Sequence, residues 1–128
     1  MKFLFDLDDG IIIVPARIHG PHGNKLLIRL ALDTGATTTT INWESLILSG
    51  YDPGAIKDRI KMITGTGEEY VPSLELLKFE SLGISKSNFK VLCHTMPASS
   101  TVDGVIGLNF LESSRLIIDF KERYLEII

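Results

Sequence analysis

The sequence predicts an all-β domain with one or two short helices, and three observations lead there. Short apolar, β-branched runs recur along the chain, turns bearing glycine, proline and asparagine separate them, and helical patterning is confined to brief windows after Asn42 and Gly107. At 128 residues the chain is expected to form one domain, spanning 1–128, with room for a single modest core. Its 45% hydrophobic and 23% charged residues are ordinary for a soluble globular protein. A net charge of -3 has the wrong sign for holding phosphates, so no nucleic-acid partner is expected. No apolar run approaches the roughly 18 residues of a membrane span, so no membrane partner is expected either. Cys93 is the single cysteine, which rules out an intrachain disulfide and favours a reducing compartment. Asp6, Asp8 and Asp9 arrive too early for a signal peptide, and the expected location is cytoplasmic.

The elements follow in order. The N-terminal "FLFDLDDG" reads as a segment of solvated acids. "IIIVPARI" (11–18) is a continuous β-branched strand in which Pro15 marks an edge or a bulge. Gly20, Pro21, Gly23 and Asn24 then make a turn, and "KLLIRLALD" returns with Leu26, Ile28, Leu30 and Leu32 on one face and Leu27, Arg29, Ala31 and Asp33 on the other. The pair is a hairpin that delivers Asp33 at its far end. "TTTTI" (37–41) is read as extended, a matter of β-propensity with no chemistry assigned to the threonines. Asn42 caps a short helix over "WESLILS" that Gly50 ends, and Asp52-Pro53 opens a turn or a scrap of helix. Alternation from Arg59 to Ile84 around Thr64-Gly65-Thr66-Gly67 reads as one glycine-tipped hairpin. "NFKVLCHTM" (88–96) is a strand, "PASSTVDG" a polar loop, and "VIGLNFLESS" a strand end running through Gly107 into a short helix. "RLIIDFKERYLEII" closes as two short strands joined near Lys121–Arg123. Trp43 and Phe110 are the expected anchors of the two helices.

Chemistry concentrates in two places. Asp33-Thr34-Gly35 ends an apolar strand, where Gly35 lets the backbone bend and Ala36 keeps the turn slim. Far downstream, Val105-Ile106-Gly107 repeats the logic of a strand ending in a glycine before a helix. The triplet alone is weak, and its order and spacing relative to the second motif are much more specific.

Asp33-Thr34-Gly35-Ala36 followed by Thr37, together with Val105-Ile106-Gly107-Leu108-Asn109-Phe110-Leu111, resembles the retropepsin family of aspartic proteases. The closing "LIIDFKERYLEI" resembles the terminal strands of single-lobe bacterial and archaeal members, and the hairpin at 60–72 falls where that family carries its flap. The resemblance runs from about Ile11 to Ile128. It implies a closed acid-protease β-barrel, aspartic endopeptidase activity without metal or cofactor, and Asp33, Thr34 and Gly35 as the catalytic triplet. Such enzymes hold a water between two carboxyls that share one proton, and this chain carries one triplet. Asp103-Gly104 lacks the pattern and precedes its strand. The implied partner is therefore a second copy of the chain, a homodimer that brings Asp33 together with its own copy at a two-fold axis. By the same resemblance, Thr34 reaches across that axis, and Gly35 and Ala36 line an extended peptide substrate. Gly65, Thr66 and Gly67 close over it as a lid. Thr37 and Leu108 stand where retroviral members carry an Asp and Arg that pair near the dimer interface, so the contact differs without leaving an orphan charge.

Other readings weigh less. A peptide-binding or dimerisation module that keeps the fold without turnover is the alternative function. "FLFDLDDG" resembles an aspartate-nucleophile phosphatase motif, but Asp9 breaks its spacing and the chain has no room for that family's α/β domain. His19 and His22 have no evident route to Cys93-His94 for a zinc site. Cys93 reads as a small apolar strand residue, and its neighbour His94 would point to the opposite face, which argues against a Cys-His nucleophile.

Overall fold

The computed structural model describes residues 1–8, 10–97 and 100–128; Asp9 and part of the expected polar loop (Ala98, Ser99) lie outside them. In chain order the elements are β1 (Lys2–Leu4), β2 (Asp6–Asp8), β3 (Ile11–His19), β4 (Lys25–Leu32), β5 (Thr40–Ile41), α1 (Trp43–Leu48) and a 3-10 turn (Pro53–Ala55). There follow β6 (Arg59–Thr64), β7 (Gly67–Ser81), β8 (Ile84–Cys93), β9 (Gly104–Ile106), α2 (Leu108–Leu111), β10 (Leu116–Asp119) and β11 (Tyr124–Ile127). The expected all-β architecture with short helices is the one observed.

Alternation in the sequence becomes a hairpin because its two faces meet different solvents. β3 and β4 pair antiparallel with Val14 opposite Leu30, burying Ile28 and Leu30 and leaving Leu27 and Arg29 outside. From β4 the ladder runs to β9 in parallel, from β9 to β5, from β5 to β8 in parallel, and through β7 back to β3. That ring is closed, which removes the exposed edges an open sheet would leave. Pro15 sits inside the ring rather than at an edge, and the reason is local. Along one side β3 pairs with β2 through Ile11–Ile13 and with β7 from Ala16 onward, so the proline falls at the hand-over, where no ladder donor is needed. The Ser81 hydroxyl donates to its carbonyl at 2.8 Å.

Aromatic packing fills the barrel. Phe79 is fully buried, stacked on Phe89 at 4.9 Å and edge-on to Phe110 at 5.4 Å. Phe110 thereby anchors α2 to the core, and the half-buried Trp43 packs α1 against it. The helix start read at Asn42 is confirmed by its side chain, which accepts from the Ser45 N–H at 2.8 Å.

Several boundaries differ from the sequence reading. The N-terminal segment is not merely solvated: β1 pairs with β11, Lys2 opposite Glu126, in a separate sheet ordered β1-β11-β10. Phe5 is buried between β1 and β2 and meets Phe120 edge-on at 6.2 Å. The stretch from Arg59 to Ile84 holds two turns, not one. The second is Leu82-Gly83, at φ 52° and 74°, a two-residue hairpin turn whose left-handed leucine is kept in place by burial. β8 therefore begins at Ile84, and Asn88, read as its start, is an interior kink at φ 51°. Of the threonine run only Thr40 enters a strand.

At the barrel surface Glu80 collects three partners: His19 Nε2 at 3.2 Å, Lys78 Nζ at 3.1 Å and Arg17 Nη1 at 3.9 Å. The His19 contact lies off the line of a well-formed hydrogen bond. His19 first and Lys78 second hold the Glu80 carboxyl below its ordinary range. A carboxyl depressed in the folded state stabilises it above the unfolded value, and that contribution is lost as pH falls through the folded one. Glu80→Gln is accordingly expected to flatten the loss of stability between about pH 5 and about pH 3, read by urea melts at each pH. Phe79→Ala is expected to cost about 3–5 kcal/mol in the same assay at neutral pH.

Candidate active site

Asp33 lies just beyond β4 and is held by backbone before any side chain acts. Its N–H donates to the Ile106 carbonyl at 3.0 Å, extending the parallel β4–β9 ladder in which Leu32 faces Ile106. The Asp33 carbonyl accepts the Ala36 N–H at 3.2 Å, closing the turn. The Gly35 N–H donates to Asp33 Oδ1 at 2.9 Å, which fixes the carboxylate's rotation. Asp33, Thr34 and Gly35 are all exposed.

The second motif locks this loop from behind. Leu108 N–H donates to the Ala36 carbonyl at 2.8 Å and Asn109 N–H to the Thr37 carbonyl at 3.1 Å, so the start of α2 is spent on the turn's own backbone. Thr39 is fully buried. Its hydroxyl accepts the Gly107 N–H at 3.1 Å and donates to Asn109 Oδ1 at 2.8 Å, while its N–H donates to the same oxygen at 2.8 Å. The Asn109 amide then reaches the Lys90 carbonyl on β8 at 2.8 Å. Gly107 has no alternative, because a Cβ there would lie 2.7 Å from the Thr38 carbonyl carbon and 2.8 Å from Ala36 O. Gly104 is equally confined, a Cβ falling 2.0 Å from Thr40 O. Asp103, set aside as a second catalytic carboxylate, ties the crossing together: Oδ2 accepts the Arg29 N–H at 3.0 Å and its own N–H donates to Arg29 O at 2.8 Å.

Asp33 opens onto a cleft of about 560 Å³. The floor is Gly35, Ala36, Thr37, Thr38 and Thr40, the wall Leu92, His94, Met96 and Val105, and the roof Ile60, Lys61, Met62 and Ile63 of β6. Asp33, Gly35 and Ala36 are thus brought together. Thr34 is exposed and does not line the cleft, and Gly65, Thr66 and Gly67 form the exposed tip of the β6–β7 hairpin beyond it. At that tip the Thr64 hydroxyl donates to Gly67 O at 3.1 Å. Thr37 is exposed and Leu108 largely so, as befits positions without a charge pair.

Two basic side chains of the cleft already have partners, Lys61 with Glu68 at 3.1 Å and His94 with Glu69 at 2.8 Å. Among the described residues Asp33 is the one carboxylate lining it. Cys93 is buried on the far side of its strand, where burial pushes the thiol up to about 12 against the opposing pull of Arg59; it stays a neutral thiol, not a nucleophile. Among the described residues no three histidine, cysteine or acidic side chains converge on a point that would hold a metal.

Sequence reading missed Thr39 and Asn109. The available signal was a lone amide among the apolar residues of α2 and a run of four hydroxyls, Thr37 to Thr40. Neither carries a periodicity.

No family model and no curated protein matches the sequence. Among solved structures, a retropepsin-like aspartic protease from Rickettsia conorii superposes with a TM-score of 0.73 and 20% identity, over 98% of this chain and 88% of that one. The chain has the retropepsin-like fold that its motifs resemble.

The lock makes a prediction. Thr39→Val keeps the volume and removes the hydroxyl, leaving the buried Gly107 N–H without its acceptor. It is expected to cost about 1–3 kcal/mol in chemical denaturation, whereas Thr40→Val, which loses a single bond to Thr38 O, is expected to cost less.

Proposed function

We propose that the chain is an aspartic endopeptidase acting as a homodimer, with Asp33 of each copy forming one half of the catalytic pair. The observation that carries the reading is a lone carboxylate, exposed at the mouth of a cleft and held on a doubly hydrogen-bonded loop. An isolated exposed acid has no reason to be so firmly placed; half of a dyad has. The retropepsin-like fold supports the same reading.

In the proposed dimer the two carboxyls share one proton, because two like charges so close do not both ionise. The ionised one takes a proton from the water between them as its oxygen attacks the substrate carbonyl. The protonated one gives its proton to the carbonyl oxygen; the proton taken from water then passes to the amide nitrogen while a hydroxyl proton of the tetrahedral diol returns to the ionised carboxyl, and the species collapses into acid and amine. The pair titrates as a unit. An extended peptide lies between the β6 roof and the floor at Gly35 and Ala36, its alternate side chains meeting Ile60, Met62, Leu92 and Val105. Thr34, exposed beside the carboxylate, is the residue that would meet the second copy's loop in this reading. The sheet β1-β11-β10 offers that copy two unpaired edges among the described residues. Around them lie exposed Leu4, Ile117, Phe120 and Ile128.

Asp33→Asn tests this. The variant is expected to sediment as the same dimer as the parent and to lose cleavage of a mixed extended-peptide library on the order of 10⁴-fold or more. Undiminished cleavage by the variant, or a parent that cleaves as a strict monomer, sinks the dyad. A dimer that binds such peptides and never cuts them leaves the binding-module reading.

A further inference from the structure

Residues 59–72 form the hairpin over the cleft, and β7 does not meet β8 until Ser73, opposite Leu92. Inside the hairpin the polar side chains satisfy one another, Lys61 with Glu68 and Thr64 with Gly67 O. Among the described residues one side-chain hydrogen bond crosses from this hairpin to the barrel wall, between Glu69 Oε2 and His94 Nε2 at 2.8 Å. Glu69 lies opposite Met62, at mid-hairpin, where leverage over the tip is large. His94 follows β8 directly and is tied down by its own N–H, which donates to Ile41 O at 3.1 Å. The imidazole stands between two spaces, the cleft of Asp33 and a second cavity of about 260 Å³ that Trp43, Arg59 and Tyr70 help to line.

We propose that Glu69 and His94 are a clamp that holds the hairpin down over the cleft, tight when the imidazole is protonated and slack when it is neutral. A bond between two charged groups is shorter and about twice as strong as one with a neutral partner, so the clamp is strongest in the mildly acidic window where carboxylates are ionised and imidazoles charged. The groups facing His94 from each packed element leave that sign intact. On the second cavity's side stand Glu69, Arg59, Tyr70 and the Cys93 thiol, and on the cleft's side Asp33 and Lys61. Glu69 is in contact, Lys61 is matched by Glu68, burial keeps the Cys93 thiol neutral, and Arg59 and Asp33 line opposite cavities. The clamp rests on the peptidase reading for its purpose: the lid closes in the same acidic range in which the carboxyl pair holds its single proton. Its detection does not rest on that reading. Glu69 and His94 are positioning residues and touch no reacting atom.

The test is amide hydrogen exchange on the full-length wild-type protein, corrected for intrinsic rates, comparing amides of 60–72 with those of β3. Hairpin protection is expected to be about two- to five-fold higher near about pH 5.5 than near about pH 7.5, the range of an exposed ion pair, with β3 unchanged. Glu69→Gln removes the carboxylate and His94→Gln keeps a donor without the titration; each is expected to erase the difference. A hairpin whose protection ignores pH in the parent, or follows pH equally in both variants, overturns the clamp. A clamp that responds in a wild-type protein that cleaves nothing upholds this inference while sinking the peptidase one.

Discussion

The rest of the structure depends on the hydrogen bonds that join Thr39, Gly107 and Asn109. The loop from Asp33 to Thr39 carries no strand partner of its own, yet the donors and acceptors on its buried side must be satisfied. Two motifs about seventy residues apart do this reciprocally: the strand end at Ile106 accepts from Asp33, and the helix start returns its first N–H groups to Ala36 and Thr37. The Thr39 hydroxyl and the Asn109 amide fill the remaining gap. A network so fully paired is rigid, and a half-paired one would cost about 1–3 kcal/mol for each orphaned group. That rigidity allows a carboxylate to stand exposed at a fixed angle without packing around it.

What the sequence made legible follows from the range of each signal. The β4 alternation, the Asn42 cap, the Asp33 triplet and the glycine ending β9 are local, written within a few residues, and they appear where expected. The Thr39–Asn109 bonds span a separation of 70 residues, and no pattern near either residue announces them. β1 was hidden for the same reason. Three residues with one apolar face have no periodicity to read, and only the distant β11 makes them a strand. The Leu82-Gly83 turn was masked by its leucine, a residue that turn chemistry disfavours and that burial forces into the left-handed region. In each case tertiary contact decided the matter after local preference had not.

The reach of the roof over the cleft is likewise a consequence of closure. β7 is 15 residues long, and its second part is committed to β8 and to β3, which complete the ring. The residues before Ser73 have β6 as their ladder partner, and at about 3.3 Å per residue they carry the hairpin roughly 20 Å past the barrel. A two-stranded ribbon of that length is marginal by itself. It needs its internal pairs, Lys61 with Glu68 and Thr64 with Gly67, and a tie to the wall, so the strand length that closes the barrel also creates the demand that Glu69 and His94 meet.

Charge in the cleft sets a condition on the proposed second copy. Lys61 and His94 are already matched by glutamates on the hairpin, so among the described residues lining the cleft no unpaired basic side chain is left for Asp33. A lone exposed carboxylate tolerates that, since water solvates it. Two of them brought to about 3 Å repel by roughly 5 kcal/mol even when strongly screened by protein and solvent. The proposed assembly is therefore coupled to uptake of one proton, and the absence of a neutralising cation is what makes the coupling strong. A cleft that supplied an arginine beside Asp33 would dimerise more readily and hold its proton less, losing the acid it needs for the leaving amine.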